Sequence, residues 1–187
     1  MRAAVIAIVV ILVLALAAAG AAFAAPSVLK QMYPVPAQPF TFPHDLHAGA
    51  VGLDCQFCHR NVAQGAAATV PSVEQCMFCH SVIRKDAPSG IAVVRDMAAK
   101  GEPITWTRVH RVPDHVRFWH EPHIRVLTTR LSQERSTTVV PSEVCSTCHG
   151  DVKTVKQVEQ VRDLRMNDCV DCHRANNAPT DCAVCHF

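Results

Sequence analysis

The pattern of apolar positions begins with an unbroken run. Ala3 to Ala25 carries no charge, with Arg2 before it and Lys30 the next charged residue. As a helix these 23 residues would span ~34 Å, enough to cross a bilayer. Ala22-Phe23-Ala24 also has the small-x-small form of a signal cleavage site, and either reading exports the rest of the chain. The reading adopted is a single transmembrane anchor over 1–25, with everything after it on the extracytoplasmic side of the cytoplasmic membrane. Five prolines at 26, 34, 36, 39 and 43 then predict an extended linker over 26–43 that lies across a surface.

Beyond the linker the apolar positions come in short groups. Ser72 with Gln75 resembles a capping box, which places Cys76 to His80 in the first turns of a helix. Ser89 to Lys100, stopped by Gly101 and Pro103, predicts a second short helix. The paired β-branched runs between Val126 and Val140 predict a small hairpin. Ser142 is positioned to cap the turn that holds Cys145. Val152, Val155, Val158, Val161 and Leu164 recur at roughly helical spacing and predict the buried stripe of a helix leading to Met166 and Cys169.

Composition changes this picture by making the core thin. Aromatics are 5% of 187 residues and there are seven glycines, too little large apolar volume for an ordinary core and too few turn residues for a sheet protein. The expected fold class is mainly α with much irregular chain, and the missing core volume has to come from somewhere else.

The cysteines supply a source. All ten fall in five copies of Cys-x-x-Cys-His: Cys55/Cys58/His59, Cys76/Cys79/His80, Cys145/Cys148/His149, Cys169/Cys172/His173 and Cys182/Cys185/His186. This is the attachment sequence of c-type haem: two thiols add to the vinyl groups and the adjacent imidazole becomes an axial ligand of iron. On a helical turn, positions i, i+3 and i+4 share one face, so all three groups can meet one porphyrin. Structural zinc sites usually pair two Cys-x-x-Cys hooks, and an odd number leaves one without a partner. A redox disulfide motif occurs singly and does not require the histidine. The expectation is therefore five covalently bound haem c groups, with short helices and loops wrapped around them as a multihaem cytochrome c fold. Ten propionates would carry the formal +2 of the polypeptide to about −8. The basic residues, densest between Arg95 and Arg135, then read as carboxylate partners and not as a nucleic-acid surface.

The first cysteines are separated by 21, 69, 24 and 13 residues, and the long gap divides the chain into a two-haem half, 44–112, and a three-haem half, 113–187. Each half opens on the same short repeat, Phe-x-His-x-x-His, at Phe42/His44/His47 and at Phe118/His120/His123. Six of the eleven histidines lie outside the cysteine motifs: His44, His47, His110, His115, His120 and His123. They suffice to give five irons a second axial ligand, which favours electron transfer over catalysis at an open iron. His44, His47, His120 and His123 are assigned as ligands, His110 is a candidate, and His115 is left unassigned. Met166, three residues before Cys169, is a candidate thioether ligand that also reads as packing at the end of the valine stripe.

The arrangement of His-x-x-His before Cys-x-x-Cys-His resembles the class III multihaem cytochromes c. That resemblance implies that the two histidines of each pair ligate different haems: His44 the one at Cys55/Cys58, His47 that at Cys76/Cys79, His120 that at Cys145/Cys148 and His123 that at Cys169/Cys172. It leaves Met166 or His110 for the haem at Cys182/Cys185, with a haem of the first half as the alternative for His110. Over nearly its whole length, through the anchor, Cys55 to Arg60, Val109 to Asp114 and Met166 to Arg174, the chain is similar to the pentahaem subunit of bacterial alternative complex III. The resemblance implies a non-enzymatic electron-transfer subunit of a quinol-oxidising membrane complex. Its implied partners are an iron–sulfur subunit, polytopic quinol-binding subunits, a mono-haem cytochrome, and a soluble carrier or terminal oxidase. Two other functions fit the motifs: an anchored quinol dehydrogenase of the four-haem type that feeds periplasmic reductases, and a multihaem oxyanion reductase.

Overall fold

The computed structural model describes residues 2–32, 34–84 and 90–187. The chain divides into two compact units, Met1–Pro36 and Ala37–Phe187. The first is helix α1, Arg2–Met32. Within it Val5–Ala25 has a mean hydropathy of 3.0 and is long and apolar enough to cross a membrane. The helix does not stop at Ala25 but runs through Pro26 to Met32, so the irregular stretch is shorter than the expected linker and covers residues 34–43. Its second part does lie on a surface. Gln38 and Thr107 exchange two hydrogen bonds of 2.9 and 3.0 Å, and the Thr107 hydroxyl donates to the Ala37 carbonyl.

The second unit is built from short helices: a π-helical turn Asp45–Ala50, α2 Cys55–Cys58, α3 Val73–His80, α4 Gly90–Lys100, α5 His120–Arg135, α6 Ser146–His149, α7 Met166–Ala175 and α8 Cys182–Cys185, with 3₁₀ turns at Pro141–Val144 and Val152–Thr154. Among the described residues there is no strand, only an isolated antiparallel bridge between Val116 and His186. Helix α3 starts after Ser72 as expected, but no capping box forms: the Ser72 side chain makes no cap hydrogen bond, and the Gln75 amide donates instead to the Phe57 carbonyl. Helix α4 ends at Lys100, and Gly101 follows with φ +68°, a conformation that costs glycine little. Ser89 lies outside the described residues. The turn before Cys145 is capped not by Ser142 but by Glu143, whose carboxylate accepts from the Val140 N–H.

Two expectations fail. The segment expected to form a hairpin is α5. Its Ile124, Leu127 and Leu131 fall at i, i+3 and i+7 on one face against the core, while Glu121–Arg125 and Arg130–Glu134 form i,i+4 ion pairs along it. This helical periodicity outweighs the β-propensity of its valine and threonines. The hydroxyls of Thr129 and Ser132 are absorbed by carbonyls four residues back, and Pro122 falls in the first turn, where it removes no helical bond. The valine stripe 152–164 is not a helix beyond the 3₁₀ turn at its start. Its strict spacing of three would rotate about 60° per step on a helix, spreading the valines round the axis and giving no single buried face. The chain is instead held open by tertiary pairing, as where the Asp45 N–H donates to the Val155 carbonyl.

The core is small. Val62, Ile124, Val139 and Val144 form its centre, with Ala63, Ala68, Leu127 and Leu131 packed around them. This cluster joins the chain after α2 to α5 and to the turn before α6, so it unites the first and third cysteine motifs. Val73 and Val94 are the other buried apolar side chains among the described residues. Large apolar groups beside the motifs stay exposed, Phe78 at 66% and Val82 at 77%. Six of the eight basic residues between Arg95 and Arg135 have partners within the chain: Lys100, Arg125, Arg130 and Arg135 pair with carboxylates, Arg95 donates to the His80 carbonyl, and Arg117 lies over the Phe187 ring.

Gly49, in the π-helical turn, approaches the 3₁₀ turn after the third motif so closely that a Cβ would overlap the Lys153 carbonyl. Gly49→Ala is therefore expected to destabilise the body by about 1–3 kcal/mol, the usual cost of overpacking. Gly65→Ala should cost much less, because a Cβ there meets only the Asn61 oxygen at 3.7 Å. Urea unfolding of both variants checks the difference, and equal losses would contradict it.

Candidate functional site

Each cysteine motif is wound on one helical turn. α3 and α7 contain their whole motifs, Cys76–His80 and Cys169–His173. α2 and α8 stop at the second cysteine, and His59 and His186 leave in non-helical backbone. Even there the histidine N–H still donates to the first cysteine's carbonyl, at 2.9 Å in His59 and 2.8 Å in His186, as it does in His149 at 3.0 Å. This bond holds the two thiols and the imidazole in one compact turn. Asp54 begins α2 by accepting from the Gln56 N–H.

All ten thiols are free, and the chain does not enclose them equally. Cys55, Cys58, Cys76, Cys145, Cys148, Cys169 and Cys185 are half-buried, whereas Cys79, Cys172 and Cys182 are exposed. The second motif shows the contrast within one turn. The Cys76 thiol donates to the Ser72 carbonyl at 3.4 Å, but Cys79 faces solvent. Only the backbone of Cys79 is held, its carbonyl accepting from the N–H groups of Val82 and Ile83 at 3.1 and 2.8 Å. The polypeptide therefore fixes where Cys79 stands without covering its sulfur, so this assigned attachment point differs from the sheltered thiols of the first and third motifs. The difference has a physical source: α3 packs through Val73, its one buried residue, at the end of the helix away from Cys79.

The histidines outside the motifs approach those inside them. The ring centres of His47 and His80 are 6.0 Å apart, those of His120 and His149 6.4 Å, and those of His123 and His173 6.0 Å. His44 lies near His59, whose charge helps to depress it. The repeat in the sequence is also a repeat in space. Phe42 meets His44 edge-on at 4.9 Å and stacks on His47 at 4.4 Å; Phe118 does the same with His120 at 4.9 Å and His123 at 4.6 Å.

One hydrogen bond recurs through the set. Nδ1 of His47, His59, His80, His120, His123, His173 and His186 faces a backbone carbonyl, of Pro43, Thr69, Ile83, Ala66, Trp119, Pro179 and His115 respectively. A carbonyl can only accept, so Nδ1 carries the proton and Nε2 keeps its lone pair, the form in which imidazole binds a metal. His47 and His123 use the carbonyl four residues back, the same device in both repeats. His120 uses Ala66, next to the Gly65 carbonyl that accepts from the Glu121 N–H, so the 44–112 and 113–187 halves interlock here.

Burial keeps several of these groups neutral. His44 is depressed to about 4 by burial, and then by His59 and His47. His149 is depressed to about 4 by burial, and then by His110, His120 and His59. His110 is lowered by burial and by His120. Among the thiols, burial raises Cys76, with Cys58 adding to it, and raises Cys148 and Cys169, with Cys172 and Cys185 among the contributors. Cys145 and Cys55 interact, which lowers Cys55 and raises Cys145, while the Cys145 thiol donates to the Pro141 carbonyl at 3.8 Å. These interactions pair the second motif with the first, the first with the third, the third with the fourth and the fourth with the fifth.

The remaining candidates are placed differently. His110 sits against His149, with Nε2 at 3.1 Å from the His149 Nδ1. His115 stacks beside His186 at 5.5 Å and 14°. Its own carbonyl faces the His186 Nδ1. Met166 opens α7 and is 69% exposed. The C-terminal motif is fastened to the segment before α5 by the Val116–His186 bridge, by the Arg117 N–H donating to the Cys185 carbonyl at 2.7 Å, and by Arg117 over Phe187. Sequence reasoning missed this fastening and the His110–His149 contact, because both depend on residues dozens of positions apart with no shared motif.

Among the described residues, no three His, Cys, Asp or Glu side chains converge as the ligands of a metal ion would. The donors come as facing imidazole pairs, each beside a Cys-x-x-Cys turn. Such a set suits a metal whose other ligands arrive with a macrocycle, and it does not suit a closed zinc site. In comparisons with known proteins, no family model and no curated protein matches the chain.

The two most depressed imidazoles give a pH dependence. In the unfolded chain they protonate near 6.5, and in the folded body only near 4. Between these values the unfolded state binds more protons, so stability falls as pH drops from about 6.5 to about 4. Thermal melts of the metal-free polypeptide across this interval should show a steadily falling midpoint, part of which His44→Asn removes. A flat profile would mean that these rings are not buried neutral.

Proposed function

We propose that this chain is a membrane-anchored pentahaem c-type cytochrome that relays electrons and performs no bond chemistry. The observation that carries the proposal is the facing of imidazoles at about 6 Å. An imidazole nitrogen binds a transition metal at about 2 Å and lies roughly 1 Å from its ring centre, so two imidazoles across one metal have centres about 6 Å apart. His47/His80, His120/His149 and His123/His173 have this spacing, and His44 neighbours His59.

Bound haem supplies one-electron chemistry at iron. The chain's own residues do the rest. The ten cysteines would hold five groups covalently, and the motif histidines present Nε2 from a fixed turn. His44, His47, His120 and His123 would supply the second ligands, which would keep small molecules off the metal and let the electron come and go with little rearrangement. The small polypeptide core and the exposed phenylalanine and valines beside the motifs suit a protein wrapped around flat apolar groups. The exposed Cys79 sits between Phe78 and the Val82 turn, so a macrocycle held there would cover the sulfur and these apolar neighbours together. At the fifth motif the ring of His115 lies 5.5 Å from that of His186, so His115 joins Met166 as a candidate there.

The adjacency of the motifs supports a continuous relay whose ends are the second and fifth centres. Helix α1 supports anchoring, with the body on the extracytoplasmic side, where covalent haem attachment occurs in bacteria. The resemblance of the motifs to the pentahaem subunit of alternative complex III supports a quinol-oxidising complex as donor and a periplasmic carrier or terminal oxidase as acceptor.

The test is electron paramagnetic resonance of the purified protein and two variants. The native protein should contain five haems per chain by pyridine haemochrome, with at least four low-spin centres. His120→Ala and His47→Ala should each convert one centre to high spin while leaving haem content unchanged. Native signals persisting in both variants would refute the pairing, and a native high-spin centre reacting with a small oxyanion would favour a reductase.

A further inference from the structure

The contact between His110 and His149 assigns a role to His110 that neither the axial-ligand count nor the motifs contain. We infer that His110 is a positioning residue for His149, tuning the third centre through a hydrogen bond, and is not itself an axial ligand. This inference rests on the haem reading above.

His149 is the exception among the motif histidines. Among the motif histidines, His59, His80, His173 and His186 each turn Nδ1 to a backbone carbonyl. His149 turns Nδ1 to the Nε2 of His110, at 3.1 Å with the two rings nearly perpendicular at 84°. The opposite side of His149 is already supplied: His120 faces it at 6.4 Å with the rings nearly parallel at 10°. His120 is fixed there by its own Nδ1 bond to the Ala66 carbonyl. If His149 binds metal through Nε2, its one remaining proton is on Nδ1. That N–H donates, His110 Nε2 accepts, and the proton of neutral His110 must lie on its Nδ1.

An imidazole nitrogen is a better base than an amide carbonyl. A stronger acceptor at Nδ1 moves electron density toward Nε2, makes His149 a stronger donor, and favours the oxidised metal. The third motif meets the first across the cluster of Val62, Ile124, Val139 and Val144, where the 44–112 and 113–187 halves come together. Its potential therefore bears on electron transfer between the two halves.

The test uses the full-length anchored holoprotein with His110→Phe, which keeps a ring but removes the acceptor, and His110→Gln, whose amide oxygen can still accept. Haem content, spin state and the set of midpoint potentials are read for each. The expected result is native haem content and no new high-spin signal in either variant, with one potential shifted upward in His110→Phe and returned toward the native value in His110→Gln. A new high-spin centre in either variant would overturn the inference by making His110 an axial ligand. Unchanged potentials in His110→Phe would overturn it by making the contact inert. A native protein without haem would overturn the underlying reading and this inference with it, an outcome that haem analysis of the unaltered chain distinguishes from the other two.

Discussion

The hydrogen bond from imidazole Nδ1 to a backbone carbonyl is the interaction on which the arrangement of this protein depends. Seven histidines make it, and each bond fixes a tautomer, a ring orientation and the direction of a free Nε2 together. The irregular backbone follows from this requirement. Regular helices and sheets consume their own carbonyls, so a chain that must offer carbonyls to many imidazoles has to leave stretches unpaired. The loop after α2 offers Thr69 to His59 and Ala66 to His120, and in doing so ties the first motif to the helix that carries the second histidine pair.

The second constraint is the small core. Val62, Ile124, Val139 and Val144 hold together the part of the body where the first and third motifs meet, and little comparable exists elsewhere among the described residues. A chain of this size would normally bury far more of its apolar surface. Close backbone approach at Gly49 and the fastening of the C-terminal motif to residues 115–117 supply order that side-chain packing does not. The exposed thiols of Cys79, Cys172 and Cys182 belong to the second, fourth and fifth motifs, not to the two that this core unites. Five covalently held macrocycles would supply the missing apolar volume, which makes the proposed cofactors part of the fold as well as of the function.

The legible parts of the fold are those written in local chemistry. The charge-free run marks α1, Gly101 marks the end of α4, and the cysteine spacing marks five single-turn motifs. The Phe-x-His-x-x-His repeat is legible too, and Phe42 and Phe118 contact their histidines in the same way. How far each thiol is sheltered is not written locally, since Cys76 and Cys79 share one motif and differ in exposure. The segment after the second histidine of α5 misleads, because β-branched residues dominate its appearance while Ile124, Leu127 and Leu131 carry its period. The valine stripe after His149 misleads because a spacing of three looks helical over two steps and not over four. Helix α1 continues through Pro26 because a proline preceded by helix interrupts one backbone bond without forbidding the next turn. The position of His110 is not legible at all. Nothing adjacent to it in sequence encodes His149, and the contact exists only because the body folds the segment before α5 against the third motif.

The central claim is that ten thiols and their facing imidazoles hold five haems. Intact-mass spectrometry of the denatured protein after exposure to a thiol-alkylating reagent tests it most directly. The account predicts a mass exceeding that of the polypeptide by five haem groups, with no cysteine alkylated. A mass equal to the polypeptide with all ten cysteines alkylated would contradict it.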